Sequence, residues 1–438
     1  MRLALAALIV LGGCSSAAVP AEGSCHSGAW RLDDGRILDV MILEQGLRWR
    51  LEDGRTGLIR MKEGEPRSSL GWTGRPDAHQ ITFGACEAPA LTFDGISATR
   101  LSFSIQETHF TGAGETLFGR LLLPEGEEAV PVVVQVHGSG SYSDTAYNSR
   151  QRMLPAQGIG VFVYDKRGTG KSTGTYTQDF HVLAADAAAA AREARKLAGP
   201  RISSLVYEGI SQGGWVAPLA ATLEPADRII VGYGLTVSPL EENKSEVLLN
   251  VAEAGYGSDA LSGAAELADA TGEIMASNFR NGFDRLAEVK SKYKREPWFK
   301  SAQGEFTGEI LGYPVWLLRT AAPIARRMSD RGTTWRHEPL PVLRSLDVPV
   351  LWVLAGADRE APPEQTRIDL IMLKRESKPI TVLEFPDTDH GMVEFETDSK
   401  GARINTRVTE GYLAAIVDFA RDGALGPGPY GRAEQIGD

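Results

Sequence analysis

A glycine-flanked serine is the residue in this chain best suited to nucleophilic chemistry. The run Gly209-Ile210-Ser211-Gln212-Gly213-Gly214 is entered from the apolar Leu205-Val206-Tyr207 and left by a small-residue stretch over 215–223. A serine on a tight strand-to-helix turn leaves no room for side chains two residues before and two after it, so Gly209 and Gly213 suit those positions. In a chain with 48 glycines the five-residue pattern alone is weak, and the flanking strand and helix give it weight. Serine needs a base, and an imidazole base needs a third group to fix its tautomer. Asp358 follows the apolar run 350–354 through Ala355-Gly356-Ala357, and His390 follows the run 380–385 within Asp387-Thr388-Asp389-His390-Gly391-Met392. Asp387 and Asp389 compete for the acid's role. Asp389 adjoins His390, and consecutive side chains on an extended turn point apart. A partner from a separate strand end constrains the imidazole better, which favours Asp358. The plain alternatives are a turn serine, a structural histidine and a loop aspartate opening a helix at Ala361-Pro362-Pro363; the position of all three groups after strands weighs against them.

Two more segments stand at strand ends: His137-Gly138-Ser139-Gly140 after the run 130–136, and Tyr164-Asp165-Lys166-Arg167-Gly168-Thr169-Gly170-Lys171-Ser172 after the run 160–164. With these and the order Ser, Asp, His, residues 105–421 resemble the α/β-hydrolase superfamily. The likeness is greatest to the bacterial esterases and serine-aminopeptidase-like hydrolases that carry H-G-S-G after the third strand and Y-D-x-R-G-x-G-x-S after the fourth. The resemblance implies Ser211 as nucleophile, His390 as base and Asp358 as acid. It also implies an oxyanion hole made by the backbone N–H groups of Ser139 and Gln212, two donors aimed at a developing negative charge. The activity implied is hydrolysis of a small-molecule carboxylic ester through an acyl-enzyme, without cofactor. A peptidase or amidase of the same fold is the nearest alternative, and a non-catalytic binding protein is the alternative from another class.

Two look-alike motifs fail on context. Gly168-Thr169-Gly170-Lys171-Ser172 ends like a phosphate-binding loop, but the required first glycine falls at Asp165. Gly426-Pro427-Gly428-Pro429-Tyr430-Gly431 has dinucleotide-type glycine spacing, yet no helix follows to hold a pyrophosphate. No H-E-x-x-H, paired C-x-x-C or EF-hand loop occurs, so no metal is expected.

The elements that must carry these groups read as a mostly parallel, doubly wound α/β sheet, because near-continuous apolar runs alternate with helical stretches. About residues 239–340 the strands stop and the pattern turns helical, which implies a lid-like insertion over the strand ends. It carries Tyr256, Phe279, Phe283, Tyr293, Trp298, Phe299, Phe306, Tyr313, Trp316 and Trp335; aromatics at helical spacing are usually core, but some of these are expected to line the pocket, and the sequence does not select which. A helix over about 408–421 closes the fold, and 422–438 reads as a Gly/Pro-rich tail. Residues 25–104 alternate apolar and polar, as in Leu47-Arg48-Trp49-Arg50-Leu51, with a hairpin turn at Asp53-Gly54; this is a small β domain.

Composition narrows the class. With 438 residues, 42% hydrophobic and 24% charged, the chain is globular, and 57 acidic against 46 basic residues give a net charge of −11, which argues against a nucleic-acid surface. Residues 1–24 read as an address. The apolar run 3–11 is too short to span a bilayer but fits a secretory leader, and Leu11-Gly12-Gly13-Cys14-Ser15-Ser16 resembles a lipobox in which Cys14 carries the lipid. The expected location is the bacterial cell envelope, facing the periplasm, with membrane contact through that anchor alone. Setting Cys14 aside leaves Cys25 and Cys86, which could bridge in an oxidising compartment; a loop of about 60 residues would contribute about 4 kcal/mol.

Overall fold

The computed structural model describes residues 24–43, 46–62, 65–329 and 331–437; Cys14 and the rest of the leader lie outside them. Among the described residues no helix is long and apolar enough to cross a membrane.

The N-terminal unit is an antiparallel sheet of eight strands, β1 (Gly28–Leu32), β2 (Ile37–Leu43), β3 (Gly46–Leu51), β4 (Thr56–Lys62), β5 (Glu65–Leu70), β6 (Ile81–Phe83), β7 (Leu91–Phe93) and β8 (Ile96–Arg100), ordered β5-β4-β3-β2-β1-β8-β7-β6. Its core holds Trp30, Leu38, Trp49 and Phe93. The alternation in β3 sends Trp49 and Leu51 into that core and leaves Arg48 and Arg50 on the other face. There Arg50 reaches the next domain, donating to Ser149 Oγ at 3.1 Å. Cys25 and Cys86 are disulfide-bonded, with Cα atoms 5.5 Å apart.

The second unit is built on nine strands. Two of them, β9 (Phe103–Thr111) and β10 (Thr116–Pro124), form an antiparallel edge; β11 (Val130–Val136), β12 (Gly160–Tyr164), β13 (Ile202–Ile210), β14 (Arg228–Gly232), β15 (Val350–Ala355) and β16 (Ile380–Phe385) run parallel. The order is β9-β10-β12-β11-β13-β14-β15-β16, with one more strand beyond β16. The central strands are buried on both faces, which is why they read as near-continuous apolar runs. Helices Phe180–Ala198, Gly213–Leu223, Pro339–Ser345 and Glu364–Arg375 cover one face; Arg150–Ala156 and Tyr412–Asp422 cover the other. The alanines of Phe180–Ala198 let that helix lie close against the sheet, and Asp179 caps it by accepting from His181 N and Val182 N.

The insertion is helical as expected, with Pro239–Glu253, Ser258–Ala276, Phe283–Tyr293, Thr307–Gly312 and Val315–Ser329 around a core of their own. The C-terminal reading needs one correction and one addition. Around His390 the chain makes a small antiparallel sheet, β17 (Thr388–Asp389), β18 (Val393–Thr397) and β19 (Arg403–Val408), so the last helix starts at Tyr412, not near Val408. The Gly/Pro-rich tail is tied to the fold over its described residues: β20 (Glu434–Gln435) pairs antiparallel with β16, and the Tyr430 hydroxyl donates to Asp418 at 2.6 Å. Their Gly/Pro content marks turns, and a strand of this length has no periodicity to read.

Candidate active site

The C-terminal ends of the parallel strands bring the sequence-selected residues together. Ser211 sits between β13 and helix Gly213–Leu223 with φ at +52°, a left-handed conformation costly for a side-chain-bearing residue. Tight packing enforces it: a Cβ on Gly209 would lie 2.1 Å from Gly213 O, and one on Gly213 would lie 2.0 Å from Val136 O. The strain lifts the Ser211 hydroxyl clear of the sheet, at the positive end of the helix that follows.

His390 follows β16. Its Nε2 lies 3.1 Å from Ser211 Oγ and its Nδ1 lies 2.8 Å from Asp358 Oδ2. Asp358, only 3% exposed, follows β15, and its other oxygen accepts from Glu360 N at 3.0 Å and Ala361 N at 2.8 Å. The carboxylate is therefore held by its own loop and turned toward the imidazole. With Nδ1–H donating to Asp358, the neutral ring leaves Nε2 free to accept the serine proton. Burial works against a charged imidazole here, but the hydrogen bond and charge of Asp358, with Glu360 and Asp389 nearby, outweigh it and raise His390 to about 9. The Tyr233 ring meets the imidazole edge-on, centroids 4.9 Å apart. Asp387 pairs instead with an exposed Arg432 at 2.5 Å.

The segment after β11 lies against the serine: a Cβ on Gly138 would be 3.3 Å from Ser211 Cβ. Lys166 Nζ donates to Gly138 O at 2.6 Å and the Tyr176 hydroxyl donates to Ser139 O. Burial lowers the Lys166 amine to about 7. Gln212 opens the helix after the Ser211 turn, so its N–H and that of Ser139 belong to the two segments flanking the Ser211 hydroxyl. The loop from Asp165 to Ser172, the phosphate-loop look-alike, folds around its own carboxylate: Asp165 accepts from Ser143 Oγ, Thr145 N, Thr145 Oγ1 and Lys171 N.

A cavity of about 960 Å³ opens over the site, lined among others by Ser139, Tyr176, Glu246, Glu305, Arg331 and His390. A narrow recess of about 40 Å³ adjoins it and holds Ser211, Gln212, Trp215, Glu242 and Trp335. Of the insertion aromatics named above, Trp335 borders the recess, Phe306 is buried in the insertion's core and Trp316 is 69% exposed. The insertion turns carboxylates toward the substrate space instead. Burial and mutual repulsion raise Glu242, and burial raises Glu305 and pushes Glu246 up to about 7, where one of its oxygens has no hydrogen-bond partner. Glu242 and Glu246 were missed, although their i, i+4 spacing on the insertion's first helix puts them on one face.

The model of a family described as "Alpha/beta hydrolase family" matches residues 133–401, more than half of the chain. No curated protein matches. Similar solved structures include an esterase of Pyrococcus furiosus, 14% identical, covering 66% of this chain and 83% of that one at a TM-score of 0.41. A thermophilic esterase from Thermogutta terrifontis is 18% identical, over 65% of this chain and 91% of that one, at 0.37. An acylaminoacyl peptidase of Pyrococcus horikoshii is 14% identical over 88% of this chain and 61% of that one, at 0.41. Its matched sequence, its strand order and its nucleophile-type turn after β13 agree: the chain belongs to the alpha/beta hydrolase family.

Proposed function

We propose that the protein is a serine hydrolase that cleaves carboxylic esters through an acyl-enzyme. The observation that carries this reading is the unbroken hydrogen-bonded relay Ser211–His390–Asp358 at the floor of the cavity. Ser211 Oγ attacks the ester carbonyl carbon while its proton passes to His390 Nε2. The resulting oxyanion takes hydrogen bonds from the N–H groups of Ser139 and Gln212, and the carboxylate of Asp358 balances the imidazolium. His390 then hands the proton to the departing alkoxide, which leaves as the alcohol. A water deprotonated by the same nitrogen attacks the acyl-serine and releases the acid, restoring Ser211. A p-nitrophenyl ester panel with a fluorophosphonate probe tests this. Turnover and labelling in the wild type, both lost in Ser211→Ala, are expected; labelling that persists in that variant refutes it.

The acidic lining favours a second reading, hydrolysis of aminoacyl amides or peptides, because Glu242, Glu246, Glu305 and Glu360 surround the substrate space with carboxyl groups. Burial disfavours the ionised forms of the first three, and a bound ammonium would stabilise them. An aminoacyl-p-nitroanilide panel beside the ester panel separates the two.

We further propose that the chain is exported and held at the cell envelope by a lipid on Cys14, facing the periplasm. The Cys25–Cys86 bridge supports an oxidising compartment. Expressed with its leader, the protein is expected in the membrane fraction and, as Cys14→Ala, in the soluble periplasm; a mature N-terminus downstream of Cys14 without lipid refutes this.

A further inference from the structure

The N-terminal β domain carries no group with catalytic spacing, yet it is fastened to the catalytic domain on two sides. On one side it grips the helix Arg150–Ala156. Arg152 pairs with both oxygens of Asp39 at 2.5 and 3.0 Å, and just past the helix Gln157 donates to Glu52 at 2.6 Å. On the other side it grips the hairpin β18–β19, which continues from His390. Val408 N donates to Gly54 O and Trp72 N to Asn405 O, each at 3.0 Å, and Arg407 donates to Asp53 O at 2.6 Å. The backbones touch there: Gly71 has φ at +49°, and a Cβ on it would fall 2.1 Å from Thr406 O.

That hairpin has little to hold itself in place. Every residue of β19 is only half-buried, and a sheet this small is marginal in water without a packed partner. Yet it carries Arg403, whose guanidinium lies over the Phe395 ring at 4.0 Å and donates to Asp389 Oδ2 at 2.7 Å and Ala357 O at 2.6 Å. The other oxygen of Asp389 accepts from His390 N at 2.9 Å and Arg359 N at 3.1 Å. Ala357 and Arg359 flank Asp358. One arginine therefore joins the loop of the base to the loop of the acid, and the N-terminal domain holds the hairpin that bears it.

We infer that the N-terminal β domain is a brace for the His390 loop, acting through the clamped hairpin β18–β19 with Arg403 as the positioning residue. The inference rests on the reading of Ser211, His390 and Asp358 as a working triad. Misplacing a reacting group by about 1 Å costs roughly a hundredfold in rate, so a loosened brace slows turnover without closing the substrate cavity.

The test uses the full chain with Gly71→Ala, which wedges the interface at Thr406 and touches none of Ser211, His390 and Asp358, and Arg403→Met with Arg403→Lys as its conservative partner. Two readouts are taken: kcat and KM on a p-nitrophenyl ester, and the low-field proton resonance of the His390–Asp358 hydrogen bond, which needs no turnover. Both disruptive variants are expected to lose about tenfold or more in kcat, whatever change in KM follows from Val393 and Asn405 lining the cavity, and to broaden or lose the resonance, while Arg403→Lys recovers part of each. Should Arg403→Met fail to fold, Gly71→Ala decides. A folded Gly71→Ala chain with wild-type kcat and a wild-type resonance overturns the brace. If the wild type hydrolyses neither esters nor anilides, the hydrolase reading fails, and the resonance still decides the brace.

Discussion

Lys166 holds the carbonyl of Gly138 at 2.6 Å, and the N–H of Ser139 belongs to the same peptide group. Because a trans peptide is planar with its C=O and N–H opposed, fixing one end fixes the direction of the other. Lys166→Met should therefore lower kcat about tenfold or more with little change in KM, a fraction of the 10²–10³ that removing an oxyanion donor costs. Lys166→Arg should restore part of it. Steady-state kinetics on one ester series checks this.

The pH profile should reflect His390. Only the neutral imidazole can take the serine proton, so kcat/KM is expected to rise with pH as the ring deprotonates, with its midpoint near the value of about 9 that Asp358 imposes. Glu360 lies 3.7 Å from Nε2 and adds to that stabilisation, so Glu360→Gln should move the midpoint to lower pH. A profile already flat between pH 6 and 10 would contradict the assignment.

Asp358→Asn should reduce turnover at least about a hundredfold by permitting the wrong tautomer, against about 10⁴ in the serine-protease template. Asp387→Asn, confined to an exposed pair with Arg432, should cost less than about tenfold. Asp389→Asn should fall between them, since its carboxylate touches no reacting atom but ties His390 N, Arg359 N and Arg403 together. Comparing the three in parallel tests the order.

Cavity acidity should be visible in stability. A carboxyl whose folded pKa is raised binds its proton more tightly in the folded state. For Glu246 that contribution is complete below about 4.5 and is lost as pH rises through about 7. Glu246→Gln should therefore gain stability over the wild type between pH 5 and pH 8, on the order of 1 kcal/mol. Thermal unfolding at the two pH values measures it, and a constant difference would contradict it.

The strands and the relay were legible in the sequence for a physical reason. A parallel strand buried on both faces must be apolar throughout, and a nucleophile turn must be glycine-flanked, so Leu205-Val206-Tyr207 and Gly209 to Gly213 announce themselves. Asp358 and His390, which meet Ser211 through hydrogen bonds, stood out in the sequence because strand ends are where such a sheet presents groups. What stayed hidden depends on long-range packing. Nothing around Arg403 marks it as a partner of Asp389, because that contact exists only once β18 and β19 have paired. The carboxylates of Glu242 and Glu305 look like solvent-facing charges until the insertion folds over the sheet. The sequence could not say which insertion aromatics reach the pocket, since a helical subdomain with its own core consumes Phe306 internally while Trp335 borders the recess.

The pairing of Glu434 and Gln435 with β16 bears on how this protein behaves in solution. Without it, the strand that leads into the His390 turn would present a row of unpaired N–H and C=O groups along the flank of the sheet, the kind of surface on which a second molecule adds its own strand. Polar residues on a minimal edge strand shield that row while offering little to a neighbour. Trimming the chain before Glu434, or appending a bulky tag that pulls these residues away, should raise self-association above that of the full chain.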